Sequence, residues 1–303
     1  MKYLITIVGP TAVGKTALCI NLALELGTEI VSADSRQVFR EMDIGTAKPS
    51  AEELRQVKHH FINSHSIHDQ FNAGDYERQA MEKIEALFQR YDCLILTGGS
   101  GLYINAVTEG MADIPEVEAE VRAKLTDRLA KDGLNALAED LRRLDPEYYD
   151  VVDLQNPQRV TRALEVCIGT GRKYSELRTQ VKKQRGFEVI KTGLNRPREE
   201  LYGGINQRVD AMIAAGLFAE AEQLYPYKDH YALQTVGYKE IFSYIDGAYD
   251  KEEAIRLLKR NTRRYAKRQL TWFGKDPDIR WFHPNEYKEI LRIVHKCMGR
   301  PGA

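Results

Sequence analysis

Eight residues near the amino terminus, Gly9-Pro10-Thr11-Ala12-Val13-Gly14-Lys15-Thr16, match the spacing G-x-x-x-x-G-K-[ST]. The pattern suits polyphosphate binding. Its glycines allow backbone angles that aim successive N–H groups at phosphate oxygens, and a helix amino terminus adds positive potential. Lys15 brings a point charge, and the Thr16 hydroxyl can ligate Mg2+. Hydrolysis does not follow from the motif. An ATPase usually ends a neighbouring strand in an acid that holds the metal. Here the apolar run Cys93–Leu96 ends in Thr97, and Asp92 precedes that run, at the wrong end. No N-K-x-D element for guanine recognition occurs. The loop therefore reads as a holder of a diphosphate, with water and substrate completing the metal's coordination.

A second constellation is Asp34-Ser35-Arg36-Gln37. A carboxylate there can accept a proton from an exocyclic amine while Gln37 pairs with a base edge. Capping is an equally good reading, because Asp and Ser are preferred caps.

These groups need a frame. Tyr3–Val8 is a short apolar run, expected to be a buried strand, and Thr16–Leu26 repeats leucine at helical spacing up to Gly27. Glu29–Ser32 reads as a second strand with Asp34 just past its end, 75–91 as an amphipathic helix, and Cys93–Thr97 as another buried strand. Gly98-Gly99-Ser100-Gly101 then leads into a helix near Leu102. Strands interleaved with helices predict an α/β fold with a doubly wound parallel sheet, whose ligands gather at the carboxyl ends of the strands. From about residue 113 to 186 helical segments follow one another (117–131, 135–144, 157–170) without a strand, which predicts a helical insertion. Residues 1–112 and 187–303 then form the core, with one more strand at Phe187–Leu194 and long helices at 198–225 and 251–270.

The chain has 303 residues, 44 Lys+Arg against 44 Asp+Glu, and 43% hydrophobic residues. That is an ordinary globular balance with no net pull on a polyanion. The distribution is less even. Residues 158–191 hold nine basic groups against three acids, and 256–268 hold seven basic groups and no acid. Such blocks either dock a phosphate backbone or form a solvated helix face. In helix 251–270, Ile255, Leu258, Thr262 and Tyr265 are expected inward and the basic face outward, with Trp272 and Phe273 as core anchors. Four scattered cysteines (Cys19, Cys93, Cys167, Cys297) have no metal or disulfide spacing and read as reduced thiols of a cytosolic protein. No apolar run approaches a membrane span, and the start of the chain is too short for a signal peptide. His59, His60, His65 and His68 lack cysteine or carboxylate partners and read as solvated or packed residues of an irregular loop.

Seven ordered elements resemble the tRNA dimethylallyltransferase (tRNA isopentenyltransferase) family of the bacterial type, nearly end to end. They are the 9–16 loop, Asp34-Ser35-Arg36-Gln37, Gly45-Thr46-Ala47-Lys48-Pro49 and Gly98-Gly99-Ser100-Gly101-Leu102-Tyr103. The last three are the ten residues 156–165, Gly237-Tyr238-Lys239-Glu240, and the eight residues 266–273. The resemblance implies a P-loop NTPase-like fold. It also implies transfer of a dimethylallyl group from dimethylallyl diphosphate to N6 of the adenosine next to the anticodon of tRNA. Residues 9–16 and Arg208 would bind the diphosphate, with Mg2+ on Thr16. Asp34 would be the general base, and Lys15, Thr16 and Arg208 would stabilise the departing pyrophosphate. Ser35, Arg36, Gln37 and Ser100 would meet a base withdrawn from the anticodon stack, and Gln158-Arg159-Val160-Thr161-Arg162 would contact tRNA. Leu201, Ile205, Val209 and Met212 form an apolar stripe with Arg208 at its edge. The family commonly has Thr where this chain has Ser100; the hydroxyl is kept and a methyl is lost. The eukaryotic members' zinc finger has no counterpart after Phe273, so no zinc is expected. The expectation is a cytosolic, monomeric enzyme with no membrane partner. The readings in competition are a P-loop kinase of nucleosides or nucleotides, a prenyl transferase acting on free AMP, and a non-catalytic RNA-binding module.

Overall fold

The innermost strand, β1 (Tyr3–Val8), carries four aliphatic side chains that are at most 1% exposed, Leu4, Ile5, Ile7 and Val8. Such a run suits a parallel strand covered on both faces. In the computed structural model, which describes residues 1–178 and 182–299, β1 lies within a six-stranded, all-parallel sheet. The other strands are β2 (Ile30–Ser32), β3 (His59–His60), β4 (Cys93–Gly98), β5 (Glu188–Leu194) and β6 (Arg280–Phe282), in the order β3-β2-β4-β1-β5-β6. Register brings Val8 of β1 level with Gly98 of β4 and Gly193 of β5, and Ser32 of β2 level with Thr97. The carboxyl ends of β1, β2 and β4 thus form one edge. The fold is the doubly wound parallel sheet that the alternation of elements predicted, of the P-loop NTPase-like type that the resemblance implied.

Helices α1 (Lys15–Leu26), α2 (Ala51–Gln56), α3 (Ala73–Phe88) and α4 (Gly101–Thr108) belong to the first half. Gly27 ends α1 in the left-handed conformation, φ 60°, and its N–H returns to the Ala23 and Leu24 carbonyls. The second basic block falls within the last helices of the chain, described below.

Residues divide into two compact units, Met1–Glu109 with Gln184 onward, and Gly110–Lys183. The second unit therefore begins and ends three residues before the expected 113–186. Its described residues contain helices only: α5 (Ala119–Leu144), α6 (Pro146–Tyr149), α7 (Pro157–Thr170) and α8 (Tyr174–Leu177). The two segments expected at 117–131 and 135–144 are one run broken at Gly133, φ 78°. Leu125, Leu137, Leu141, Val160 and Leu164 form its core. Asp145, fully buried, caps α6 through the Tyr148 amide and accepts from both the amide and the hydroxyl of Ser175. Residues 179–181 of the first basic block lie outside the described residues.

The larger unit continues through α9 (Arg198–Ala214), α10 (Leu217–Leu224), α11 (Tyr238–Ile245), α12 (Lys251–Phe273) and α13 (Tyr287–Cys297). The long helix expected at 198–225 is two, because Gly216 at φ 105° turns the chain. His59 and His60, expected in an irregular loop, form β3. Glu29 pins that strand: it accepts from His60 Nε2 at 2.6 Å and from the Tyr91 hydroxyl at 2.8 Å. Trp272, expected in the core, is 39% exposed, whereas Phe273 is buried as expected. No helix among the described residues is long and apolar enough to cross a membrane.

Candidate active site

The loop after β1 turns immediately at Gly9, φ 146°, where a Cβ would lie 2.5 Å from the Leu194 carbonyl oxygen. Gly14, φ 109°, caps α1, whose first residues are Lys15 and Thr16. Their amides open the helix without intrahelical partners, the usual anion-binding arrangement. Lys15 Nζ donates to the Gly9 and Pro10 carbonyls at 2.9 and 2.8 Å. Burial, with help from the Arg208 charge, lowers its pKa to about 8, and Asp34 opposes that shift.

Thr11 departs from the expected role. Its amide donates to Gln269 Oε1 at 2.9 Å and its hydroxyl accepts from Arg208 Nη2, so in this arrangement both polar groups brace the loop. Val13 is fully buried in the core, and its carbonyl accepts from Arg196 Nε at 3.0 Å.

Arg208 stands on α9 beside the buried stripe of Leu201, Ile205 and Val209; Met212 is only partly buried. Its Nε is buried and has no partner among the described residues. An unpartnered donor of this kind is costly unless an acceptor meets it. Burial disfavours the Arg208 charge, whereas Asp34 favours it.

Asp34 divides its two oxygens between the backbone and the cleft. Oδ1 accepts from the Arg36 and Gln37 amides at 2.9 and 3.3 Å, closing a turn rather than capping a helix. Oδ2 has no hydrogen bond among the described residues, and Asp34 lines a cleft of about 550 Å³ together with residues 11–16, Gln37 and Arg208.

Between Asp34 and the loop stands the end of β4. A Cβ on Gly98 would meet the Ala33 carbonyl oxygen, and one on Gly99 would meet Gln269 Nε2 at 2.2 Å. Two glycines are thus required where three segments converge. Thr97, at the position where an ATPase would place its acid, donates to the Ile7 carbonyl at 2.9 Å. Beside Asp34, Ser100 Oγ accepts from the Ser35 amide at 2.9 Å and donates to the Ser35 hydroxyl at 3.1 Å. Gln37 Nε2 donates to the Thr46 and Ala47 carbonyls, fixing the 45–49 loop and leaving Oε1 to accept. Arg36 stacks 4.8 Å over the Tyr231 ring and donates to the Tyr231 carbonyl.

Sequence reasoning missed Gln269 as a site residue. It lines the cleft with Tyr265, one helical turn earlier on α12. The inward Tyr265 was the available signal, since a residue four positions on shares its face. Burial and the Asp34 charge push the Tyr265 phenol up to about 12.

The segment 158–162, expected to contact tRNA, lies on α7, in the other unit. Val160 is fully buried and its side chain cannot touch RNA. The Thr161 hydroxyl is buried as well. Arg162 donates to the buried Glu165 at 2.9 Å, alongside Arg122 at 2.5 Å, whereas Gln158 and Arg159 are exposed.

Sheet, loop and cleft define a P-loop α/β transferase whose cleft holds Lys15, Arg208 and Asp34 together. The family model for IPP transferase matches residues 37–276. The chain is 51% identical over 293 residues to the tRNA dimethylallyltransferase of Cytophaga hutchinsonii, covering 97% of this chain and 96% of the relative. It is 52% identical over 285 residues to that of Christiangramia forsetii, covering 94% of each. Among solved structures it resembles the tRNA isopentenylpyrophosphate transferase of Bacillus halodurans, with TM-score 0.72, 39% identity, and 99% and 96% of the two chains covered. A eukaryotic dimethylallyltransferase acting on tRNA gives TM-score 0.82 at 26% identity, covering 99% of this chain and 81% of the other. The chain belongs to the IPP transferase family, the tRNA dimethylallyltransferases, and is a prenyl-transferring enzyme.

Proposed function

We propose that the chain transfers the dimethylallyl group of dimethylallyl diphosphate to N6 of the adenosine next to the tRNA anticodon, with Asp34 as general base. The observation that carries this assignment of roles is the shared cleft. Lys15, Arg208 and Asp34 line it together, and the charge of Asp34 acts on both cations. The N6–C1 bond forms as the C1–O bond breaks. The electron pair leaves with pyrophosphate, and the N6 proton passes to Asp34 Oδ2. Lys15, the Arg208 guanidinium and the amides opening α1 stabilise the growing negative charge, an effect typically worth about 10²–10³ in rate per group.

The cleft also suits Mg2+. Thr16, Ser32, Thr97 and Asp34 line it with hard oxygen donors, the set this ion takes, and no cluster of three His, Cys, Asp or Glu among the described residues offers a competing site. Thr16 would hold the ion, which would supply further charge neutralisation on the diphosphate.

For the polymer, Arg159 on α7 and the exposed Arg264, Lys267 and Arg268 on α12 would contact phosphates. The other basic residues of that second block have partners: Lys259 pairs with Asp210 at 2.6 Å, Arg256 with Glu253, Arg260 bonds Asn261, and Arg263 bonds Asn206. The enzyme would act as a monomer in the cytosol. Nucleoside mass spectrometry after incubation with Mg2+, dimethylallyl diphosphate and unmodified tRNA tests the reading. It predicts prenylated adenosine from tRNA and none from AMP. ADP formed from ATP and a nucleoside would overturn it.

A further inference from the structure

Gln269 is 5% exposed, on the inner face of α12. Its carboxamide is used at both ends. Oε1 accepts from the Thr11 amide at 2.9 Å, and Nε2 donates to the Gly99 carbonyl at 2.9 Å. Thr11 belongs to the phosphate loop and carries Arg208 on its hydroxyl. Gly99 follows β4 and leads to Ser100, which bonds Ser35 beside Asp34. One side chain therefore spans the donor and acceptor halves of the cleft.

Its reach is fixed from both sides. A Cβ on Gly99 would stand 2.2 Å from Gln269 Nε2 and 4.0 Å from Asp34 Oδ2, so the carboxamide packs against the backbone next to the base. Two further observations exclude a passive role. The acceptor oxygen Oε1 engages a loop amide, a group that P-loops commonly leave to phosphate. A carboxamide is also the only ordinary side-chain group that donates and accepts from adjacent atoms at this length.

We propose that Gln269 is a positioning residue that sets the spacing between the diphosphate loop and the Asp34–Ser100 side of the cleft. The inference rests on the reading that the first holds the prenyl donor and the second the acceptor base. In-line displacement needs reacting atoms about 3–3.5 Å apart, and a misplacement of about 1 Å costs on the order of 10²-fold. The brace would act on that distance and contact neither substrate.

The test uses the full chain with Gln269→Glu and Gln269→Met. Glu keeps the acceptor for Thr11 but turns an oxygen toward the Gly99 carbonyl; Met keeps the length and removes both bonds. Single-turnover transfer into tRNA at saturating dimethylallyl diphosphate should fall by about 10- to 100-fold in both variants. The Kd for donor and for tRNA should stay within about threefold, and cooperative thermal unfolding should persist. The deficit of Gln269→Glu relative to the parent should shrink as the pH is lowered through the new carboxyl's titration, because the protonated acid donates again. Rates within about twofold of the parent in both variants would overturn the proposal. A deficit entirely in donor Kd would make Gln269 a binding group, and loss of the unfolding transition in both variants would make it a core residue; either overturns it. Failure of the underlying reading looks different: the parent enzyme would show no donor uptake, or Asp34→Ala would retain full transfer.

Discussion

The carbonyl oxygen of Ala33 occupies the space that a side chain on Gly98 would need, 2.1 Å from the position of its Cβ. Ala33 immediately precedes Asp34, so this contact sets how closely Asp34 approaches the central strands. Gly98→Ala must push that backbone aside. We expect transfer to fall by about 10²-fold or more, with a lower Tm. Single-turnover assays and thermal unfolding check both.

Asp34→Asn and Asp34→Ala should separate the two duties of the carboxylate. Asn preserves an acceptor for the Arg36 and Gln37 amides and removes the base, so kcat should fall by about 10²–10⁴ with the turn intact. Ala removes both and should additionally destabilise the fold by about 1 kcal/mol through the lost turn bonds. tRNA affinity, measured by filter binding, should be nearly unchanged in the Asn variant. Equal loss of affinity and transfer would favour a non-catalytic RNA-binding role.

The lowered pKa of Lys15, about 8, predicts a donor affinity that weakens as pH rises through that value. Above it the ammonium charge is lost, and affinity can fall by at most about tenfold per pH unit. The contribution to folding has the opposite sign. An unfolded lysine holds its proton up to its ordinary 10.5, so the native state binds fewer protons between about 8 and 10.5, and stability from this group rises with pH there. Calorimetric titration of the donor across this range checks the first statement. Lys15→Arg should flatten the dependence.

Arg159→Ala should weaken binding to all tRNAs alike and reduce the salt slope by about one unit. Arg162→Ala should do less than its exposure alone implies, because the guanidinium already pairs with Glu165. Salt-dependent Kd values for two tRNA sequences check both. Loss confined to one sequence would point to base reading by these residues.

Long, periodic or motif-bearing segments were legible in the sequence, and convergence in space was not. β1, α1 and β4 announce themselves through uninterrupted apolar runs and glycine punctuation. β3 has two residues and β6 has three, with Arg280 and Trp281 exposed, so neither offers a period to detect. Gln269 carried no signal of its own, because its worth lies in two backbone groups, one of them 258 positions away. Val160 was drawn into the RNA segment by its neighbours, although its apolar side chain belongs to the core of its unit. Trp272 was misassigned because its indole packs on Gly101, a position from which a Cβ would be excluded at 2.2 Å, and that seat leaves the ring at the surface.

The bond from Thr11 to Gln269 ties the earliest motif of the chain to its last long helix. During synthesis the loop emerges first, and its Thr11 amide meets this partner only after α12 has been made. A polypeptide arrested before residue 269 would own a complete phosphate signature whose Thr11 amide has no Gln269 to meet.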